Sequence, residues 1–107
     1  MGVRITVYGR DMCTDCVEAK RVLDETGVVF DYRDVKKGPG GIIANQESVN
    51  GICRGLGIEP RVPVVVFHNE TEDRDTYITF VEPRGPELEL LRTTAEMYKP
   101  LISGEMG

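Results

Sequence analysis

The 107-residue chain holds 40% apolar residues and a formal net charge of −5, enough for one domain with a core and too little for two, so residues 1–107 are expected to form a single domain. An acidic balance with no Lys/Arg run beyond Lys36 and Lys37 excludes a surface built to neutralise phosphates. No apolar run approaches the roughly 18 residues that cross a bilayer, so neither nucleic acid nor membrane is an expected partner.

Along the chain the apolar period changes several times. Val3, Ile5 and Val7 alternate with Arg4, Thr6 and Tyr8, which predicts a strand. From Cys16 the spacing turns helical, with Cys16, Ala19, Leu23 and Thr26 on one face and Gly27 as the stop. Val28 to Val35, rich in β-branched and aromatic residues, predicts a second strand, and "KKGPGG" a loop. A helix is expected from Ile43 to Leu56, with Val49, Ile52, Cys53 and Leu56 inward and Gly57 closing it, although Asn50-Gly51 interrupts it. Strands follow at Arg61 to Asn69 and Thr76 to Glu82, joined by the polar "ETEDRD" turn. Pro86 opens a last helix carrying Leu88, Leu91, Ala95, Tyr98 and Ile102 at helical spacing, which Pro100 ends or kinks.

This order, βαβαββα, makes the first two strands parallel through a right-handed crossover and the last two an antiparallel hairpin. The fold class is therefore α/β, a mixed four-stranded sheet with helices on both faces.

Three cysteines are present, too few for a disulfide scaffold and odd in number, so the chain is expected in the reducing cytoplasm, and no apolar signal region precedes the first strand. Cys13 and Cys16 stand three apart where strand gives way to helix. They read as a reactive dithiol, half of a metal site, or two small core residues. At the helix N-terminus, free N–H groups and the positive dipole end favour a thiolate at Cys13. Asp15 opposes that charge and Arg10 supports it, for an expected Cys13 pKa of about 6–7.5 against the ordinary ~8.5. Cys16, on the apolar helix face, is shielded and suited to resolve a mixed disulfide. Cys53 reads as a small hydrophobe. A metal site would need partners such as Cys53 and His68, but His68 reads as a solvated strand residue and Glu70, Glu72, Asp73 and Asp75 as a solvated turn, so no metal is expected.

The element order, "VYGRDMCTDC" and "RVPVVVF" together resemble the glutaredoxin branch of the thioredoxin superfamily, from Val3 to about Tyr98. The resemblance implies a thioredoxin-like fold and a thiol–disulfide oxidoreductase with nucleophile Cys13 and resolving Cys16. It further implies an aromatic site position at Tyr8, a basic residue for the glutathione carboxylate at Arg10, and a cis Val62–Pro63 bond that sets Val62 backbone beside the active sulfur. Only X-Pro bonds reach cis cheaply, and proline is tolerated where a strand begins. The partners implied are a disulfide-containing or glutathionylated protein and, as electron donor, glutathione or a reductase. Glutathione is the expected co-substrate, with no bound cofactor, and the chain is expected to act as a monomer.

The chain departs from that family at Thr14, Asp15 and the lengthened hairpin. The Gly-Gly turn and acidic residue that hold glutathione's α-amino group are replaced by "EPRGPELE", with Gly85 and Glu87 as weak substitutes. The arsenate-reductase-like relatives insert several helices where Lys36 to Arg61 has room for one. A binding or regulatory module, or an iron–sulfur protein on the same fold, is the alternative function.

Overall fold

The computed structural model of the chain describes residues 2–36 and 42–102. Among the described residues, four strands and three helices run in the order β1 (Gly2–Gly9), α1 (Thr14–Thr26), β2 (Asp31–Asp34), α2 (Ile42–Gly55), β3 (Val64–Glu70), β4 (Asp75–Val81) and α3 (Pro86–Tyr98), followed by a 3-10 turn at Lys99–Leu101. The sheet order is β2-β1-β3-β4, with β1 parallel to β2 and the other pairs antiparallel. Because side chains alternate along a strand, β1 serves two cores. Val3, Ile5 and Val7 are buried with Ala19, Val22 and Leu23 of α1, Val65 and Phe67 of β3, and Leu91 and Ala95 of α3. On the other face Tyr8 packs with Val64, Val66 and Val81 against Val49, Ile52 and Cys53 of α2. Cys53 is fully buried and free, the small apolar role its neighbours predicted.

Helix α1 stops at Gly27, which takes φ 80° and donates its N–H to the Asp24 carbonyl at 3.0 Å, a left-handed conformation that glycine adopts without a Cβ clash. Arg21 pairs with Glu18 and Glu25, each at 2.7 Å, and Arg92 of α3 reaches Glu25 at 2.8 Å. These guanidinium hydrogen bonds hold both carboxyls below the ordinary range. Glu18, Arg21 and Glu25 are solvent-exposed and Arg92 is half-buried, so these pairs orient α3 on α1 and the apolar stripe beneath supplies the adhesion.

Element types agree with the sequence, and several bounds differ. The expected strand at Val28 to Val35 pairs only over Asp31–Asp34. Gly27 ends α1 immediately before it, and Val28 packs into the core before the chain comes alongside β1, so Val28 to Phe30 cross over unpaired. Strand β3 begins at Val64, not Arg61, because Pro63 has no N–H to donate. Helix α2 runs through Asn50-Gly51 unbroken. Gly51 is exposed, with nothing within 4 Å of a Cβ position, so its cost is conformational entropy alone. Ile102 does not continue α3. The 3-10 turn carries it to an isolated parallel bridge with Val3. The loop expected after β2 lies, beyond Lys36, outside the described residues. Among the described residues, no helix is long and apolar enough to cross a membrane.

Candidate redox site

Strand β1 delivers the chain at Gly9 to a short turn, in which Met12 takes φ 60° and is fully exposed. Cys13 then becomes the N-cap of α1 with extended backbone (φ −118°, ψ 107°), and its Sγ accepts the Cys16 N–H at 3.1 Å. A sulfur thereby occupies the place usually held by a Ser or Asp oxygen, meeting one of the orphan donors of the first turn. Cys13 and Cys16 are joined as a disulfide with Cα atoms 5.2 Å apart, inside the ordinary range for such a bridge. The two sulfurs are inequivalent: Cys13 is half-buried at the turn, whereas Cys16 is 1% exposed.

Gly9 is the floor under Cys16. A Cβ built there would lie 2.8 Å from Tyr32 Oη and 3.2 Å from Cys16 Sγ, so a side chain at this position would have to displace the resolving sulfur or the phenol. Tyr32 carries the Lys20 ammonium 4.1 Å from its ring centroid. Burial, and then the charges of Asp34 and Asp11, push its phenol up from the ordinary value, so it stays neutral beside the pair. Tyr32 had no signal beyond its strand, because its approach to Gly9 follows from the β1–β2 pairing.

Asp15, expected to oppose the thiolate, is partnered from the far end of the chain. Arg84 donates to Asp15 Oδ2 from Nη2 at 2.7 Å and from Nε at 3.0 Å, and also pairs with Glu82 at 3.2 Å. The Asp15 hydrogen bond is the main reason that the guanidinium's pKa is raised. The cation that offsets Asp15 is therefore Arg84. In the variant Arg84→Ala the half-buried Asp15 charge is uncompensated, so the Cys13 thiol should titrate at higher pH than in the parent chain. Alkylation of the reduced pair at pH 7 should slow about two- to threefold, the modest scale of an exposed charge pair; rates against pH for both chains measure it.

The Val62–Pro63 peptide bond is cis. Arg10 and Val62 line one groove of about 270 Å³ with Lys36, Gln46, Arg61 and Glu82. Tyr8 lines a different cavity, of about 310 Å³, with Ile52, Val66, His68 and Tyr77. The structure thus brings two of the four expected binding residues, Arg10 and Val62, together and sets Tyr8 in another cavity. Glu82 had no sequence signal. Its φ of 51° and its N–H bond to the Pro63 carbonyl at 2.7 Å turn the chain after β4 so that Glu82 meets this groove, where Arg61 lies 3.6 Å away. The carboxylate offered earlier, Glu87, instead accepts the Arg84 N–H at 3.3 Å, just ahead of α3.

A family model described as Glutaredoxin matches residues 5–71. The chain belongs to the glutaredoxin family. The match takes in β1 from Ile5, the Cys13–Cys16 pair and Val62–Pro63, and stops before β4, α3 and Arg84. The crystal structure of a glutaredoxin from Archaeoglobus fulgidus is 22% identical over 85% of this chain and 86% of that one, with a TM-score of 0.49. Two structures of glutathione transferase Omega 2S from Trametes versicolor, one in complex with 2,4-dihydroxybenzophenone, are each 18% identical over 92% of this chain, with TM-scores of 0.51 and 0.52. The chain spans 37% of their length, and the likeness is one of fold. No curated protein matches the chain. The thioredoxin-like, glutaredoxin-type fold expected from the sequence is the fold observed. The family and the disulfide-capable Cys13–Cys16 pair support a thiol–disulfide oxidoreductase-like role for this glutaredoxin-family chain.

Proposed function

We propose that this glutaredoxin-family chain reduces protein disulfides or glutathione mixed disulfides with Cys13 as nucleophile and Cys16 as resolving thiol. The observation that carries the reading is the inequivalence of the two sulfurs across one helical turn: the N-cap sulfur receives the Cys16 N–H, and its buried partner sits on Gly9. The Cys13 thiolate attacks one sulfur of the substrate disulfide, forms a mixed disulfide, and expels the other sulfur as a thiolate that takes up a proton. Cys16, losing its proton, attacks the Cys13 sulfur, releases the second substrate thiol and closes the Cys13–Cys16 disulfide. Two electrons have then passed to the substrate. Reopening needs two thiols of glutathione or one dithiol reductase, and no bound cofactor enters either step.

Glutathione use is supported by the groove that Arg10 and Val62 share. Arg10, Lys36 and Arg61 offer cations for carboxylates, Glu82 offers an anion for an α-amino group, and the Val62 backbone ahead of the cis bond offers peptide hydrogen bonds. The reaction suits the cytoplasm, whose thiol pools hold such pairs reduced. A redox titration across glutathione ratios, with alkylation and intact mass counting free thiols, tests the reading. The expected result is joint loss of the Cys13 and Cys16 thiols, with Cys53 untouched and a midpoint on the order of −180 to −270 mV. A pair that resists oxidation over that span overturns it.

A further inference from the structure

At the hairpin end of the sheet, five residues along β1 from Gly9, the structure assembles a second group of chemistry-bearing side chains. His68 and Glu70 of β3 share a face, and Asp75 of β4 stands directly across from Glu70. One ligand atom from each lies within 4.8 Å of the others. His68, read from sequence as solvated, has its side chain about four-fifths covered, with its ring stacked on Tyr77 at 4.6 Å and 9°. Its Nε2 is buried with no hydrogen-bond partner, and the Asp75 carboxylate, at 3.7 Å, is beyond hydrogen-bond reach. Two features here are unfavourable as they stand: a buried polar nitrogen without a partner, and two carboxylates facing each other across a ladder.

We propose that His68, Glu70 and Asp75 form a binding site for a divalent transition ion of zinc type, which pins the β3–β4 hairpin. One such ion answers both features, since it takes the Nε2 lone pair and neutralises the facing carboxylates. An imidazole with two carboxylates suits zinc, with bonds of about 2.0–2.2 Å. A separation of 3.7 Å between Nε2 and the Asp75 oxygen lets an ion at about 2.1 Å from each sit between them. All three ligand atoms lie within 4.8 Å of one another, and tetrahedral bonds of about 2.1 Å set such atoms about 3.4 Å apart, so a carboxylate swing of up to about 1.4 Å closes the site, and Asp75 is exposed enough to make it. Stacking on Tyr77 already sets the ring plane. The competing cation is Arg4, whose Nη2 lies 3.3 Å from Glu70. That pair is largely solvent-exposed and is held weakly. The dithiol plays no part, because the site lies on the hairpin away from the Cys13 turn.

The test is calorimetric titration of zinc(II) into the chain held in its Cys13–Cys16 disulfide form, so that those thiols cannot bind it. One equivalent should bind. His68→Gln and Asp75→Asn should each weaken binding by more than loss of an outer-shell partner does, about 10- to 100-fold, whereas Arg4→Ala should tighten it by freeing Glu70. Circular dichroism without metal checks that each variant folds. Should His68→Gln misfold, Asp75→Asn at its exposed position decides. Absence of saturable binding, or affinity unchanged in Asp75→Asn, overturns the proposal.

Discussion

Replacing Cys13 with serine should abolish disulfide reduction, while replacing Cys16 with serine should stop the cycle one step later. A serine hydroxyl is not ionised near neutral pH and the N–H bond and helix dipole around Cys13 are too weak to make it so, whereas they do favour a thiolate. The expected loss in Cys13→Ser is at least about a thousandfold in turnover, the scale on which a missing nucleophile is felt. In Cys16→Ser the half-buried Cys13 still attacks, and the mixed disulfide has no internal thiol to resolve it. Incubation with a glutathionylated peptide should therefore leave this variant carrying one glutathione by intact mass, and Cys13→Ser carrying none. The reverse pattern, an adduct on Cys16 in Cys13→Ser, would exchange the two roles and contradict the burial difference between the sulfurs.

Phe67→Ala should be the most damaging single core change, costing about 3–5 kcal/mol of a total that for a domain of this kind is about 5–15 kcal/mol. Phe67 is 1% exposed in the middle of β3, and its ring meets Phe80 edge-on at 6.0 Å and Tyr98 at 6.2 Å. It therefore joins the edge strand β4 and the end of α3 to the central core, and the void left by alanine has walls on three elements that cannot all collapse inward. Urea unfolding should show a lower midpoint with an unchanged slope. Met97→Ala, at a position 67% exposed, should stay within about 0.5 kcal/mol of the parent chain. A cost below about 1.5 kcal/mol for Phe67→Ala would mean that β4 and α3 are held by something other than this aromatic contact.

Much of the architecture was legible because it depends on near neighbours. Alternation in Val3, Ile5 and Val7, and the helical spacing of Cys16, Ala19 and Leu23, reflect the periods of strand and helix, and the buried residues fall on those positions. Gly27 marked a helix end for an equally local reason. Strand β2 was overread because β propensity marks which residues tolerate an extended backbone, while pairing requires a partner strand alongside, and β1 meets only four of them. His68 was misjudged for a similar reason. It stands next to a polar turn in the chain, but its surroundings come from Arg4 and Tyr77 on the adjoining strands.

The redox pair is a local feature: two cysteines one helical turn apart at a strand-to-helix turn place one sulfur on the N-cap and the other on the apolar face, whatever the rest of the fold does. What surrounds the two sulfurs comes from long-range contacts. Arg84 meets Asp15 across 69 positions of chain, Tyr32 closes on Gly9 through strand pairing, and Arg10 and Tyr8, two residues apart, line different cavities. Strand β1 ends at Gly9, so Arg10 is not bound by the alternation that puts residues two apart on one face, and charges act through space, so the electrostatic setting of Cys13 depends on which distant segments the fold brings beside it.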